Sequence, residues 1–228
     1  MATALLPDNL IASGQTSNAQ FGQAYGCAPA LFLAELTQQQ SNLSKPRPIL
    51  AITESVAKAE TLMRQLQYFL GGSANAALLS DPETLPYDRF SPHQDLISRR
   101  LKVLSGLTQG QVQILVIASP SLFYRLPPPD YIRAHGIKLR KSERITLEHF
   151  QQRLESSGYE RVSQVNNHGE YALRGSLIDV FPMGSEKPVR VDFFDDEIES
   201  LRLFDPDSQV SLDAIDEIYS LPAREFTL

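Results

Sequence analysis

Short apolar runs and amphipathic stretches alternate through the first half of the chain. Pro48-Ile49-Leu50-Ala51-Ile52-Thr53 has the unbroken apolar character of a buried parallel strand. Thr53 or Ser55 is placed to cap the helix that follows, in which Val56, Ala59, Met63, Leu66 and Leu70 recur at helical spacing and Gly71-Gly72 marks the end. Ala76 to Leu79 predicts a second strand. Ser91-Pro92 predicts the opening of a helix, with Pro92 in its first turn and Ile97, Leu101 and Leu104 as its apolar stripe. Val112 to Ala118 predicts a third buried strand. Ser119-Pro120 then starts a short helix that Pro127-Pro128-Pro129 ends. Strands alternating with helices imply an α/β fold with a parallel sheet covered on both faces.

Beyond the triple proline the pattern changes. Thr146 caps a helix carrying Leu147, Phe150 and Leu154, with Gly158 as its stop. Arg161 to Val165 predicts a strand, and Asn166-Asn167-His168-Gly169 a turn. A three-stranded meander follows over Leu173–Phe181, Pro188–Phe194 and Ile198–Phe204. Strands grouped behind one helix predict a smaller α+β domain. Strand side chains alternate faces. Val189, Val191 and Phe193 therefore form a core face, and Arg190, Asp192 and Phe194 the opposite one. Arg174, counted as alternating away from Leu173, Leu177 and Phe181, joins that second face. A phenylalanine beside arginines there has two readings: a binding surface, because aromatic and arginine side chains dominate interface energetics, or a ring packed beneath a neighbouring element.

Composition narrows the chemistry. The 228 residues carry a net charge of −6, against the basic footprint of a free-standing DNA binder. The basic spots Arg99-Arg100-Leu101-Lys102 and Lys138-Leu139-Arg140-Lys141 are short and read as solvated faces. Cys27 is the single cysteine, which fits a reducing, cytoplasmic setting. The N-terminus lacks a signal-peptide pattern, and no apolar run approaches the roughly 20 residues of a membrane helix. His93, His135, His149 and His168 are scattered away from that cysteine, so no zinc site is expected. No G-x-x-x-x-G-K-[ST] phosphate loop occurs. Gly26-Cys27-Ala28-Pro29 lacks the second glycine, the lysine and the hydroxyl, and Gly14-Gln15-Thr16-Ser17 is no better. Asp195-Asp196-Glu197 reads as a solvated acidic turn, and Asp179 as a hydrogen-bonded structural carboxylate. No catalytic, cofactor-binding or metal-ligating residue is assigned.

A set of ordered motifs resembles the N-terminal region of the bacterial transcription-repair coupling factor family (Mfd). The motifs are Glu83-Thr84-Leu85-Pro86-Tyr87-Asp88, Ser91-Pro92-His93-Gln94-Asp95, His168-Gly169-Glu170-Tyr171-Ala172, Arg174-Gly175, Phe181-Pro182-Met183-Gly184-Ser185-Glu186 and Asp192-Phe193-Phe194-Asp195-Asp196-Glu197-Ile198 with Leu203-Phe204-Asp205. The resemblance runs from about Pro48 onward, with a weaker similarity to the excision-repair helicase UvrB. It implies a degenerate helicase-like domain over 1–130, a UvrA-interaction domain over 131–220, and the start of a returning segment over 221–228. It further implies recruitment of the damage sensor UvrA to lesions at stalled RNA polymerase, with Arg174, Arg190 and Phe194 as the UvrA contacts. By the same resemblance, this segment has no ATPase of its own. ATP, Mg, DNA and RNA polymerase would be handled by parts of the family's longer chain that are absent here. Leu85-Pro86-Tyr87-Asp88 runs almost directly into the next helix, leaving no room for UvrB's DNA-clamping hairpin. The competing expectation is a nucleotide- or DNA-binding helicase-type domain.

Overall fold

The computed structural model describes residues 22, 24–44, 46–72, 74–83 and 92–226. The motif residues Thr84 to Ser91 and the Gly14 stretch lie outside the described residues. In chain order the elements are α1 (Ala28–Ser41), β1 (Ile49–Thr53), α2 (Val56–Leu70), β2 (Ala76–Leu79), α3 (Gln94–Thr108), β3 (Ile114–Ala118), a 3-10 turn (Ser119–Phe123), α4 (Pro129–Ala134), β4 (Ile137–Arg140), α5 (Leu147–Ser156), β5 (Glu160–Arg161), β6 (Glu170–Arg174), β7 (Leu177–Val180), β8 (Val189–Phe194), β9 (Glu197–Phe204), β10 (Ser211–Ile215) and β11 (Glu217–Ser220). They form two compact units: residues 1–81 with 106–124, and residues 82–105 with 125–228.

The first unit holds a three-stranded parallel sheet in the order β1-β3-β2. The apolar runs that predict its strands are strands, within two residues at their ends. Ser55 is the residue that caps α2, accepting from the Lys58 N–H, and Gly71 ends it in the left-handed conformation. Helices α1 and α2 pack on one face through Ala30, Ala34, Ala59, Leu66 and Leu70 against Ala51, Ile114, Val116 and Ala118. On edge strand β1, Leu50 and Ile52 turn the other way and are more than half exposed. The cover expected on both faces is thus incomplete there. The triple proline ends no helix: the 3-10 turn stops at Phe123, and Pro129 instead opens α4, where a missing N–H costs nothing.

The second unit is built on a six-stranded sheet, β10-β9-β8-β7-β6-β5, with the two-stranded pair β11-β4. Thr146 caps α5 by accepting from the His149 N–H. Phe150 of α5 meets Phe193 of β8 at a ring distance of 6.1 Å, so the sheet buries one face under this helix. Motif residues far apart in the sequence meet here. His168 sits between Asp95 Oδ1 at 2.6 Å and the Ser185 carbonyl at 2.9 Å, with its ring 4.0 Å from that of Phe181. Arg100, almost fully buried, forms a bidentate pair with Glu225.

Tyr159 ties the end of this unit together. Its hydroxyl donates to the Leu221 carbonyl at 2.8 Å, accepts from the Met183 N–H at 2.9 Å and also bonds Ser220. Burial pushes its pKa up to about 12. The folded state then keeps a proton that the unfolded chain releases near pH 10. The stability conferred by the neutral phenol is present below pH 10 and is lost as pH rises toward 12, amounting to roughly 3 kcal/mol at 1.4 kcal/mol per unit. Urea unfolding between pH 9 and pH 12 is expected to show this loss. In Tyr159→Phe the slope shrinks, and stability at neutral pH falls by about 1–3 kcal/mol because buried backbone partners are left unpaired.

Candidate protein-docking site

The outer face of the six-stranded sheet is set by one tight turn. Leu173–Phe181 is not one strand, as the sequence pattern suggested. Gly175 and Ser176 form a two-residue reversal, Gly175 at φ +64°, and the run splits into antiparallel β6 and β7. Residues flanking such a turn lie opposite each other on the same face. Arg174 therefore shares a face with Leu177, its direct partner, whereas Leu173 faces the core with Ile178. Counting by twos through a turn reverses the assignment beyond it, so Leu177 lies on the face of Arg174 and not opposite it.

Register carries the outer face across the sheet. Ala172, Asp179, Arg190 and Arg202 make one rung, and Arg174, Leu177, Asp192 and Ser200 the next. Phe194 follows Asp192 on β8, at the tip of the β8–β9 hairpin opposite Glu197. Near the other end, Phe204 packs with Val165, Ala172 and Phe181 in a small secondary core.

The three residues expected to contact a partner share this face but differ in environment. Phe194 is 68 % exposed. Arg174 is part-exposed, its Nε 3.9 Å from Asp179. The side chain of Arg190 is only 19 % exposed. Its Nε and Nη2 donate to the two oxygens of Asp179 at 2.7 and 2.9 Å, Nη1 donates to Ser211 Oγ at 3.1 Å, and the guanidinium lies 5.0 Å from the centre of the Phe204 ring. The bonds to Asp179 raise the Arg190 pKa further, against the opposing effect of burial. Asp179, 1 % exposed, is the carboxylate on which both arginines converge. Its position between apolar neighbours in the sequence was the signal of a satisfied buried charge. The identity of its partner emerges only from strand register. A groove of about 580 Å³ crosses the face and is lined by Leu177, Arg190, Asp192, Glu199 and Arg202 among others.

Other chemistry is sparse. Among the described residues no group of three or more His, Cys, Asp or Glu side chains is placed to hold a metal, and no helix is long and apolar enough to cross a membrane.

Residues 137–226 match the family described as UvrB interaction domain. Over this span the chain is similar to that family. The matched segment begins at β4 and includes every residue of the outer face named above. Similarity extends well beyond it. The chain is 43 % identical over 199 residues to the transcription-repair-coupling factor of Haemophilus influenzae, covering 87 % of this chain and 17 % of that protein. It is 42 % identical over 205 residues to that of Escherichia coli K12, covering 90 % and 17 %. With that of Staphylococcus aureus Mu50 it shares 32 % over 221 residues, covering 94 % and 18 %. The chain thus spans less than a fifth of the length of these relatives.

Proposed function

We propose that this chain is a recruitment module of transcription-coupled DNA repair, whose outer sheet face docks the excision-repair protein UvrA through Arg174, Arg190 and Phe194. One observation carries the reading: within the span that matches the UvrB interaction domain, a large ring stands mostly in solvent on the same sheet face as arginines held in place by a buried carboxylate. Exposure alone does not single the ring out, since Tyr25, Tyr68 and Phe123 are more exposed; what distinguishes it is that it shares a sheet face with arginines, and interfaces concentrate Phe, Tyr, Trp and Arg. The names of the relatives supply the setting. On this reading the first unit is a helicase-like scaffold without a phosphate loop. Binding of RNA polymerase, DNA and ATP with Mg belongs to the rest of a longer cytoplasmic protein.

Calorimetric titration with purified UvrA, paired with thermal melts in ATP, tests the assignment. Saturable binding to UvrA and an unchanged Tm in ATP and Mg are expected. Absence of UvrA binding, or a saturable rise in Tm with ATP, would point instead to a nucleotide-binding helicase-type unit.

A further inference from the structure

We propose that Arg202 is a further specificity-determining contact of this docking face and that it takes a carboxylate of the bound protein. The inference rests on the docking reading above. Arg202 lies directly opposite Arg190 in the β8–β9 register. Like charges in opposed positions of an antiparallel pair are destabilising. The one buried carboxylate of the face, Asp179, neutralises Arg190 in a bidentate pair and is approached by Arg174, which eases the repulsion but leaves Arg202 with no carboxylate partner of its own among the described residues. Arg202 is exposed and forms no ion pair among the described residues. A second guanidinium is therefore kept, unneutralised, against a first that is already satisfied.

The two arginines have different tasks as a result. Arg190 spends Nε, Nη1 and Nη2 on Asp179 and Ser211, so its planar edge is largely turned inward. Arg202 keeps its donor fork open toward the groove that both line. A carboxylate entering there gains a charge-assisted, bidentate pair and removes what remains of the repulsion within the sheet. A protein side chain fits better than a nucleic-acid backbone. Lys141, Arg190 and Arg202 share the groove with Asp192 and Glu199, a mixed lining in which the two carboxylates interrupt a continuous row of phosphates, whereas a single acidic side chain can reach Arg202 between them.

The test is titration of UvrA with the wild-type chain and with Arg202→Gln and Arg202→Glu, at low and moderate salt, alongside the Tm of each. Arg202→Glu is expected to weaken binding about tenfold or more and Arg202→Gln by a smaller factor, with a reduced salt dependence. The Tm should stay the same or rise, because the like-charge pair is gone. A residue kept only to support the fold would move the Tm the other way. If wild type binds and Arg202→Glu binds within twofold of it, this inference fails and the docking reading stands. If wild type does not bind, the docking reading fails and takes the inference with it. A DNA duplex that binds wild type and not Arg202→Glu would assign the fork to phosphate and overturn the proposal.

Discussion

Phe194→Ala is expected to weaken UvrA binding by about 30-fold or more while leaving the urea midpoint unchanged. A ring that is 68 % exposed contributes little burial to the folded state, so its removal costs the fold almost nothing. At an interface the same ring would be a central anchor, and truncating such anchors costs about 2 kcal/mol or more. The separation of the two effects is what makes the experiment decisive. An affinity within threefold of wild type would show that the ring is not an anchor.

Arg190→Ala is expected to lower both stability and binding. Its removal leaves Asp179 buried with only Arg174 at 3.9 Å for company. Breaking one side of a buried ion pair costs about 3–5 kcal/mol. The nearby Arg174 puts the expected loss at about 3 kcal/mol, measurable by urea unfolding. Removing the carboxylate as well, in Asp179→Ala with Arg190→Ala, should recover much of the stability, because no uncompensated charge remains. It should recover none of the binding. A double variant as unstable as Arg190→Ala would mean that the pair is not the source of the effect, and a double variant that binds normally would remove Arg190 from the interface.

Much of this is legible in the sequence. The parallel strands of the first unit follow from unbroken apolar runs, and the start of α5 from Thr146, because those signals are local. The alternation in β8 gave its two faces correctly for the same reason. Local rules stop at the places where the chain reverses. Gly175-Ser176 is a turn with little warning in its flanks, and missing it displaced Leu177 and Phe181 to the wrong face. Edge elements were also hidden. β4, β10 and β11 are short and carry mixed polarity; β4 and β11 acquire their identity from each other across the chain, and β10 joins the preceding strand β9 in an irregular register. α1 escaped because its apolar residues do not fall into a clear stripe. Within the candidate site, Asp179 was visible as a buried acid. Its bond to Arg190, and the opposition of Arg190 to Arg202, depend on register alone.

The tip that bears Phe194 is braced. Asp195 adopts φ +52°, a conformation that aspartate tolerates, and the hairpin is bonded to the loop before α5 through Ser142 to Ile198, Ile198 to Glu143 and Ile145 to Asp196. A peg fixed in this way loses little freedom when a socket closes on it. Whatever moulding the encounter requires must then come from the socket. Crystals of the free and engaged chain should superpose at this hairpin, and the rearrangement should be sought on the other molecule.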